Sequence, residues 1–377
     1  MMILPGATLG MLGGGQLGRM FVTAAQTMGY KVIVLEPDMN SPAGVIADQH
    51  ICAQYTDETA LEQLAELCDA VTTEFENIPA TVLSYLEAKT TVHPSSKVLS
   101  STQNRLVEKA FIESLGINLA PYAAIRSTED IDAIVDTFHF PAIIKAASFG
   151  YDGKGQVVCQ DANDVRAAFS DLNEVECVLE QRINLEREVS TVLARSQSGE
   201  VNHFPVAENV HVNGILHSTT VPSSVSEQQA KQVIAMAETI ASGLDYVGTM
   251  AVEFFISKEG DILANEIAPR PHNSGHYTLD ACQTSQFEQQ VRMLCGLPSG
   301  SCDLTSPVVM INLLGDVWGS SQPHWELLLA QPQNKLHLYG KKEARPSRKM
   351  GHYNVLASTV ELATESAANS FEALKAD

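Results

Sequence analysis

The first ninety residues alternate between short apolar runs and amphipathic stretches, and this rhythm constrains the fold more than any other feature of the sequence. The predicted strands cover residues 7–12, 31–36 and 70–73, and the predicted helices cover 16–28, 57–68 and a stretch that begins near Pro79. Strands that alternate with helices usually pair in parallel, with helices packed on both faces of the sheet. We therefore expect an open, mostly parallel, Rossmann-like sheet over residues 1–96.

After residue 96 the rhythm changes. One long helix is predicted over 97–115, closed by Gly116, and short strands then surround a glycine-rich loop or form hairpins. The later predicted elements are strands at 141–147, 156–159, 176–183, 188–194, 248–256 and 262–267, and a helix at 227–242. This mixture predicts an α+β region over 97–295. Residues 296–377 carry weaker signals, a strand at 308–314 and a C-terminal helix, and predict a small third domain.

The formal net charge of -21 argues against nucleic-acid binding, which needs a positive face. No basic residue precedes Arg19 and no run of 18 apolar residues occurs, so we expect neither a signal peptide nor a membrane span. The seven cysteines are scattered and form no C-x-x-C pair, which favours reduced thiols and a cytoplasmic protein.

A first glycine loop follows the first predicted strand. Gly13, Gly15 and Gly18 fit G-x-G-x-x-G, and Glu36 ends the next strand. Free N–H groups at a helix start favour an anion, either a dinucleotide or a sugar phosphate, although a tight structural turn is the alternative. Glu74 and Glu76 follow the third strand at the same sheet edge. They are candidates to accept hydrogen bonds from ribose hydroxyls, or else form a solvated acidic loop.

A second glycine loop lies between two predicted strands, in the segment from Lys145 to Gln156. Its glycines are Gly150, Gly153 and Gly155. A flap with many free N–H groups suits a triphosphate. Lys145 stands in an apolar strand, where an anion would offset its burial, unless it is an edge lysine that reaches solvent. Lys154 is either a second phosphate ligand or an exposed charge. No helix opens with the Gly-Lys-Ser/Thr of a Walker A loop.

Two glutamates are predicted to face each other across a hairpin. A turn centred on Glu259-Gly260 pairs Ser257 with Ile262, and therefore Glu253 with Glu266. Their Cβ atoms would then lie roughly 5 Å apart on one face, where like charges need a cation between them. Oxygen ligands of this kind suit Mg²⁺ or Mn²⁺, and Asn265 adds a neutral oxygen. An acidic pair on a wet sheet face is the alternative.

The run PRPHNSGH follows the second glutamate and supplies Arg270, His272, Asn273 and His276. The i, i+4 histidines suggest zinc, but Pro and Gly within the run argue against a regular helix, and no third soft ligand is near. A loop that presents donors to an anionic substrate is the better interpretation, and a rigid polar turn is the alternative.

A basic segment stands out near the C-terminus of this acidic chain. It contains six cations and one acid, at Lys335, Lys341, Lys342, Arg345, Arg348, Lys349 and Glu343. Two arginines there suit bidentate recognition of a phosphate. A solvated charge run and an isolated RNA-binding patch are the alternatives.

Taken in order, the motifs resemble one family. GGGQLGRM, AIIKAASFGYDGKGQ, VLEQRI, AVEFF with ANEIAPRPHNSGH, and KKEARPSRKMGH are similar to the ATP-grasp superfamily, and within it to the N5-carboxyaminoimidazole ribonucleotide synthases of purine biosynthesis. The resemblance runs from about Gly13 to His352. It implies a pre-ATP-grasp domain over 1–96, an ATP-grasp domain over 97–295 with a lid subdomain at about 118–182, and a small C-terminal domain over 296–377.

The resemblance also implies a reaction. ATP would phosphorylate bicarbonate to carboxyphosphate, and the amine of 5-aminoimidazole ribonucleotide would capture this species, or the CO₂ it releases, with ADP and phosphate as the other products. A cytoplasmic homodimer is implied as well. The cofactors would be ATP and Mg²⁺, with Mn²⁺ as an option, and no nucleic acid or membrane would take part.

Residue roles follow from the same resemblance. The implied nucleotide and metal residues are Arg105 and Lys145 at the phosphates, the covering loop Gly150, Tyr151, Asp152, Gly153, Lys154, Gly155 and Gln156, the adenine hinge Glu180, Gln181, Arg182 and Ile183, then Glu188, His211 and Asn265, with Glu253 and Glu266 as the metal ligands. The implied ribonucleotide residues are Gly15, Gln16, Leu17, Glu74, Glu76, Asp152, His272, Asn273, His276, Lys342, Arg345 and Arg348. Asp152, His272, Lys342 and Arg345 would act in catalysis. A second lysine in KKEARPSRK leaves Lys341 and Lys342 as alternatives for the substrate lysine.

Three other functions compete with this one. A formate-dependent glycinamide ribonucleotide transformylase would share the acyl-phosphate chemistry. An NAD(P)-dependent oxidoreductase would use the first glycine loop, but it leaves the hairpin glutamates and the basic segment unexplained. A non-catalytic nucleotide sensor would not need the two glutamates.

Overall fold

The computed structural model describes residues 2–135, 137–148, 155–319 and 321–375. The predicted loop residues Gly150, Tyr151, Asp152, Gly153 and Lys154 lie outside these ranges. Within the described ranges, no helix combines the length and the apolar character that crossing a bilayer requires.

The N-terminal region is a five-stranded parallel sheet with helices on its faces. Its strands are β1 (Thr8–Leu12), β2 (Lys31–Leu35), β3 (Gln49–Ile51), β4 (Ala70–Thr73) and β5 (Thr91–Val92), and its helices are α1 (Gln16–Thr27), α2 (Glu58–Leu67) and α3 (Ala80–Glu87). The strand order is β3-β2-β1-β4-β5. The predicted open parallel sheet is confirmed. The two short edge strands were not predicted, because three or fewer residues give no periodic signal.

The register of this sheet aligns the ends of its strands. Leu12 lies beside Leu35 on one side and beside Thr73 on the other. The residues that follow each strand therefore meet at one edge. Parallel open sheets bind ligands at this carboxyl edge, and the first glycine loop, Glu36 and Glu74 lie there.

The single helix predicted over 97–115 is wrong, because the chain forms two helices there, α4 (Ser96–Thr102) and α5 (Arg105–Ser114). Asn104 separates them with extended backbone angles, φ -121° and ψ 121°. Its side-chain oxygen accepts hydrogen bonds from the N–H groups of Leu106 and Val107. Asn104 is thus the N-cap of α5, and such a cap restarts the helix in a new direction.

A small four-stranded antiparallel sheet with two helices comes next, and we call it the lid sheet. It comprises β6 (Tyr122–Ile125), α6 (Thr128–Ile134), β7 (Ala142–Ala146), β8 (Gln156–Cys159), α7 (Ala162–Asp171) and β9 (Cys177–Gln181), in the strand order β6-β9-β7-β8. Its own apolar core includes Ile125, Ile144 and Phe169. The segment therefore has the packing of a separate small unit.

The rest of the chain forms one large antiparallel sheet with its helices. The elements are β10 (Leu185–Arg195), β11 (Val201–His203), β12 (Ala207–Val212), β13 (Ile215–Val221), α8 (Glu227–Gly243), β14 (Gly248–Ser257), β15 (Ile262–Ala268), α9 (Thr278–Ala281), α10 (Gln286–Leu294), β16 (Val308–Leu314), α11 (Trp325–Leu329), β17 (Asn334–Leu338), β18 (Lys349–Leu356) and α12 (Val360–Leu374). The order along the sheet is β15-β14-β10-β12-β13-β16-β18-β17, with β11 paired to β10.

The C-terminal strands continue this sheet. Thr219 of β13 pairs with Met310 of β16 in antiparallel register. The edge of β13, which would otherwise be exposed, is thereby covered. This shared sheet brings the basic segment between β17 and β18 to the same cavity as the central hairpins.

Candidate active site

One cavity of about 1360 Å³ lies between the lid sheet, the large sheet, the carboxyl edge of the N-terminal sheet and the basic segment. The predicted site residues in its wall are Gly15, Gln16, Leu17, Glu74, Glu76, Arg105, Lys145, Gln156, Glu180, Gln181, Arg182, Ile183, Glu188, His211, Glu253, Asn265, Glu266, His272, Asn273, Arg345 and Arg348. Residues more than 300 positions apart in sequence therefore meet in one place. Among the described predicted residues, Gly155, His276 and Lys342 are not part of this wall.

The backbone N–H groups of the first glycine loop already have an acceptor, which is a side chain of the protein. The carboxylate of Glu74 accepts hydrogen bonds from the backbone N–H groups of Gly15 and Gly18, the latter at 2.8 Å. A Cβ atom built on Gly13 would lie 2.6 Å from the Glu74 side chain, so this glycine makes room for it. The sequence predicted a phosphate as the acceptor of these N–H groups, and the structure places the Glu74 carboxylate there instead. Because Glu74 accepts from these N–H groups, the structure disfavours a dinucleotide pyrophosphate at the loop.

The two hairpin glutamates face each other, as predicted, but through a different register. Ile256 pairs with Ile262, so the predicted pairing of Ser257 with Ile262 is wrong. A β-bulge between Glu253 and Phe254 then shifts the ladder by one residue, and Glu253 lies opposite Glu266. The extra residue of the bulge is Asn265, and it lines the cavity together with Glu266. Bulges often redirect side chains beside active sites in this way.

The two carboxylates have different electrostatic surroundings. Arg105 Nη1 lies 2.9 Å from Glu266 Oε2 and, although burial opposes ionisation, this arginine holds the pKa of Glu266 below its usual range. Burial and the neighbouring charge of Glu266 raise the pKa of Glu253. Its carboxylate lies 3.3 Å from His272 Nε2, and burial lowers the pKa of that histidine far below its usual value. The pair thus consists of one ionised carboxylate and one that would gain from a nearby cation.

Glu188 and His211 form a second polar pair in the wall, on the strands β10 and β12. His211 Nδ1 lies 2.5 Å from Glu188 Oε2, an ion-pair contact when the imidazole is protonated. Burial works against charging His211, but this contact and the nearby carboxylates raise its pKa. An acid and a histidine so placed offer both acceptors and a donor to ribose hydroxyls.

Some residues of the loop after β15 line the cavity, and others lie in the core. His272 and Asn273 line the cavity, and both amide atoms of the buried Asn273 lack a protein hydrogen-bond partner. His276 is fully buried instead, with Gln286 Nε2 at 3.2 Å from its Nδ1 and the ring of His352 at 4.8 Å. The structure therefore places His276 behind the wall. In the described ranges, no group of three or more His, Cys, Asp or Glu side chains is placed to hold a metal ion.

The basic segment contributes arginines to the wall, and its lysines are placed differently from the prediction. Lys342 Nζ donates to Asn40 Oδ1 of the N-terminal domain at 2.8 Å, away from the cavity. Lys341 and Lys349 line the cavity instead. Of the two alternatives left open by the sequence, the structure therefore favours Lys341. The Arg345 side chain is 67% exposed, so its charge has no energetic penalty of burial.

Several apolar wall residues were not predicted. Phe255 lies two positions after Glu253 on β14, and Ile143 lies two positions before Lys145 on β7. Side chains two apart on a strand share a face, so this period would have identified both from the charged residues alone. Flat apolar surfaces of this kind suit a nucleobase.

Three domain families match the chain. The ATP-grasp domain matches residues 110–287, the ribonucleotide synthetase preATP-grasp domain matches residues 6–103, and the phosphoribosylaminoimidazole carboxylase C-terminal domain matches residues 308–366. Together with a lid sheet above a cavity lined by two facing glutamates, these matches define a protein of the ATP-grasp class.

Relatives of known name cover almost the whole chain. The chain is 44% identical to N5-carboxyaminoimidazole ribonucleotide synthase of Bacillus subtilis, over 93% of this chain and 91% of that protein. It belongs to the N5-carboxyaminoimidazole ribonucleotide synthase family.

Two solved structures show the same architecture. An N5-carboxyaminoimidazole ribonucleotide synthetase in complex with ADP superimposes with a TM-score of 0.92 at 47% identity, covering 98% of this chain and 97% of that one. The Aspergillus clavatus synthase, in complex with ADP and 5-aminoimidazole ribonucleotide, gives a TM-score of 0.90 at 28% identity, with 98% of both chains covered.

Proposed function

We propose that this chain uses ATP and bicarbonate to carboxylate the amine of 5-aminoimidazole ribonucleotide, through carboxyphosphate. The observation that carries the proposal is the pair of facing glutamates, Glu253 and Glu266. The cavity that they line also contains positively charged side chains from three parts of the chain. The Aspergillus clavatus relative, which has the same architecture, forms a complex with ADP and this ribonucleotide.

The hairpin fits a magnesium ion. Glu253 and Glu266 offer oxygen ligands directly opposite each other, and Asn265 adds a neutral oxygen from the bulge. Burial and the charge of Glu266 raise the pKa of Glu253, so its ionised form is unfavourable. A divalent cation bound to the two glutamates would stabilise that form. Bound there, Mg²⁺ would neutralise the charge that develops on the ATP phosphates. Mn²⁺ accepts the same ligands.

Different residues of the cavity would bind the phosphates, the ribose and the adenine of the nucleotide. Arg105 and Lys145 would bind the phosphates, and Glu188 and His211 the ribose. The N–H groups of Gln181 and Arg182 donate to the carbonyls of Pro121 and Pro141 at 2.8 and 3.0 Å. We therefore assign the backbone N–H that would contact adenine at the hinge to Ile183. The family resemblance implies that the loop from Gly150 to Gln156, most of which lies outside the described residues, covers the phosphates and excludes the water that would hydrolyse an acyl phosphate.

The ribonucleotide residues lie at the other end of the cavity. Arg345 and Arg348 would bind its phosphate with their paired N–H groups, and Lys341 or Lys349 would add charge. Asn273, whose amide has no protein partner, would bind a polar group of the base. Burial lowers the pKa of His272 and keeps its imidazole neutral, so it would position the amine, and the proton that the amine loses as the new C–N bond forms would pass to the departing phosphate. The C–O bond of carboxyphosphate then breaks, and phosphate leaves.

The direct test measures phosphate release from ATP with each pair of co-substrates. We expect release to require 5-aminoimidazole ribonucleotide together with bicarbonate. Release that requires formate and glycinamide ribonucleotide would instead identify the transformylase. Tight binding of a nicotinamide cofactor in calorimetry would support the oxidoreductase.

We also propose that the enzyme is a cytoplasmic homodimer, which the family resemblance supports. Analytical ultracentrifugation of the full chain should give about twice the 40.7 kDa of one chain. A single species at the mass of one chain would contradict the dimer.

A further inference from the structure

A second buried lysine lies behind the phosphate end of the cavity. Lys109 is one helical turn after Arg105 on α5, it is 2% exposed, and it does not line the cavity. Its Nζ lies 3.3 Å from Glu180 Oε1, and the other oxygen of Glu180 lies 2.9 Å from Lys145 Nζ. One buried carboxylate therefore joins a lysine in the wall to a lysine behind it.

The charges of the three side chains Lys109, Glu180 and Lys145 do not balance. Lys145 alone would neutralise Glu180, so Lys109 leaves a net charge of about +1 on three buried groups. An excess buried cation is costly in a purely structural arrangement, and an anion in the cavity would offset the cost.

We infer that Lys109 is a positioning residue for the nucleotide phosphates, acting through Glu180 on Lys145. By holding one oxygen of Glu180, it fixes the carboxylate that orients Lys145. It also prevents Glu180 from cancelling the charge that Lys145 presents to the phosphates. The inference rests on the proposed role of Lys145 at the phosphates.

The test compares ligands with and without phosphates on the full chain. Calorimetry would measure the affinities of two ligands, ADP with Mg²⁺ and adenosine, for the wild type and for Lys109→Gln. This substitution removes the charge and keeps a hydrogen-bond donor. We expect ADP to bind about tenfold more weakly and adenosine to bind as before, because only phosphates respond to the lost charge. Lys109→Arg should restore ADP affinity. Lys109→Met, an apolar side chain of similar volume, is a second charge-free variant in case the first does not fold.

A double-variant cycle tests the route through Lys145. In a Lys145→Met background, Lys109→Gln should weaken ADP binding by less than about twofold, because effects that act through one group are not additive. Lys89→Gln is the matched control. Its lysine pairs with Glu62 on the surface, at 2.7 Å, and its loss should not change ADP affinity.

The outcomes separate this inference from the proposed function. Equal losses of ADP and adenosine affinity in Lys109→Gln, or full additivity with Lys145→Met, would overturn the positioning role. If Lys145→Met weakens ADP binding and Lys109→Gln does not, the inference alone fails. If Lys145→Met leaves ADP affinity unchanged, the proposed phosphate site fails and the inference fails with it.

Discussion

The ionisation of each acidic side chain at this site depends on the residues beside it. Glu253 and Glu266 lie opposite each other, but only Glu266 has an arginine close enough to hold its pKa down. Glu253 has a neutral histidine beside it, and its pKa is raised. Pairs of acids whose pKa values diverge in this way are typical of functional sites.

Replacement of Glu266 by Gln should abolish most of the activity and leave the fold intact. Loss of one carboxylate ligand weakens stabilisation of the transition state, and we expect kcat/KM to fall about 100-fold or more. Steady-state phosphate release and a thermal melt would measure both effects. Glu259→Gln, in the exposed turn of the same hairpin, is the control. Wild-type turnover in Glu266→Gln would count against the metal assignment.

The stability of the protein should report the ionisation of Glu108. Its Oε1 accepts the N–H of Ile267, and the pKa of its carboxyl is raised from 4.5 to about 8. The folded state therefore binds the extra proton, and this residue's contribution to stability falls as pH rises through that window.

Glu108→Gln lacks this proton equilibrium. As the pH rises from 5 to 8, the unfolding free energy of the variant should increase relative to that of the wild type by on the order of 3 kcal/mol. Urea unfolding at several pH values would measure the difference. A difference between the two proteins that does not change with pH would contradict the assignment.

At the scale of elements, the start of α5 connects three parts of the site. Asn104 caps the helix, and its side-chain NH₂ donates to Glu176 Oε2 at 2.9 Å, next to the lid sheet. Arg105 then reaches Glu266 on β15, and its backbone N–H donates to Ala147 after β7. The break between α4 and α5 thus places Arg105 at the hairpin.

Asn104→Ala should therefore destabilise the protein by about 1 to 2 kcal/mol, through the lost cap and the lost bond to Glu176. The midpoint of urea unfolding would show it. Ser101→Ala, on α4, is the control because its hydroxyl donates to the carbonyl of Lys97 within its own helix. An unfolding midpoint equal to that of the wild type would show that the cap does not stabilise α5.

The sequence predicted elements better than it predicted their irregularities. The apolar patterns of β14, β15 and α8 identified these elements, because each is long enough to carry a clear signal. The bulge at Asn265 has no sequence signal, and the facing glutamates were predicted from a register that was wrong at Ser257. The cap at Asn104 was missed because α4 and α5 together read as one amphipathic stretch. Capping chemistry, with Asn before an acid-containing turn, would have revealed the break.

At the scale of the whole molecule, the cavity exists only because four parts of the chain meet. The Rossmann-like sheet could be predicted, since its strands are consecutive and their rhythm is regular. The pairing of β13 with β16 could not, because about ninety residues separate the two strands and no local pattern links them. The position of His276 was also missed, because its burial depends on β18.

Ligand binding should stabilise this assembly, and the metal should be part of the effect. At a concentration of ADP near 100 times its dissociation constant, linkage predicts about 2.7 kcal/mol of added stability. We expect the thermal midpoint to rise with ADP and Mg²⁺, and to rise much less when EDTA replaces Mg²⁺. Equal shifts with and without the metal would contradict a magnesium ion between the nucleotide and the hairpin.

The most direct test of the account follows an oxygen atom from bicarbonate. The enzyme would be given ATP, 5-aminoimidazole ribonucleotide and ¹⁸O-labelled bicarbonate, and the released phosphate would be analysed by mass spectrometry. Formation of carboxyphosphate places a bicarbonate oxygen between carbon and phosphorus, and cleavage of the C–O bond leaves that oxygen on phosphate. We predict one labelled oxygen in each phosphate released by highly enriched bicarbonate. Phosphate without label, formed while the ribonucleotide is carboxylated, would contradict the mechanism.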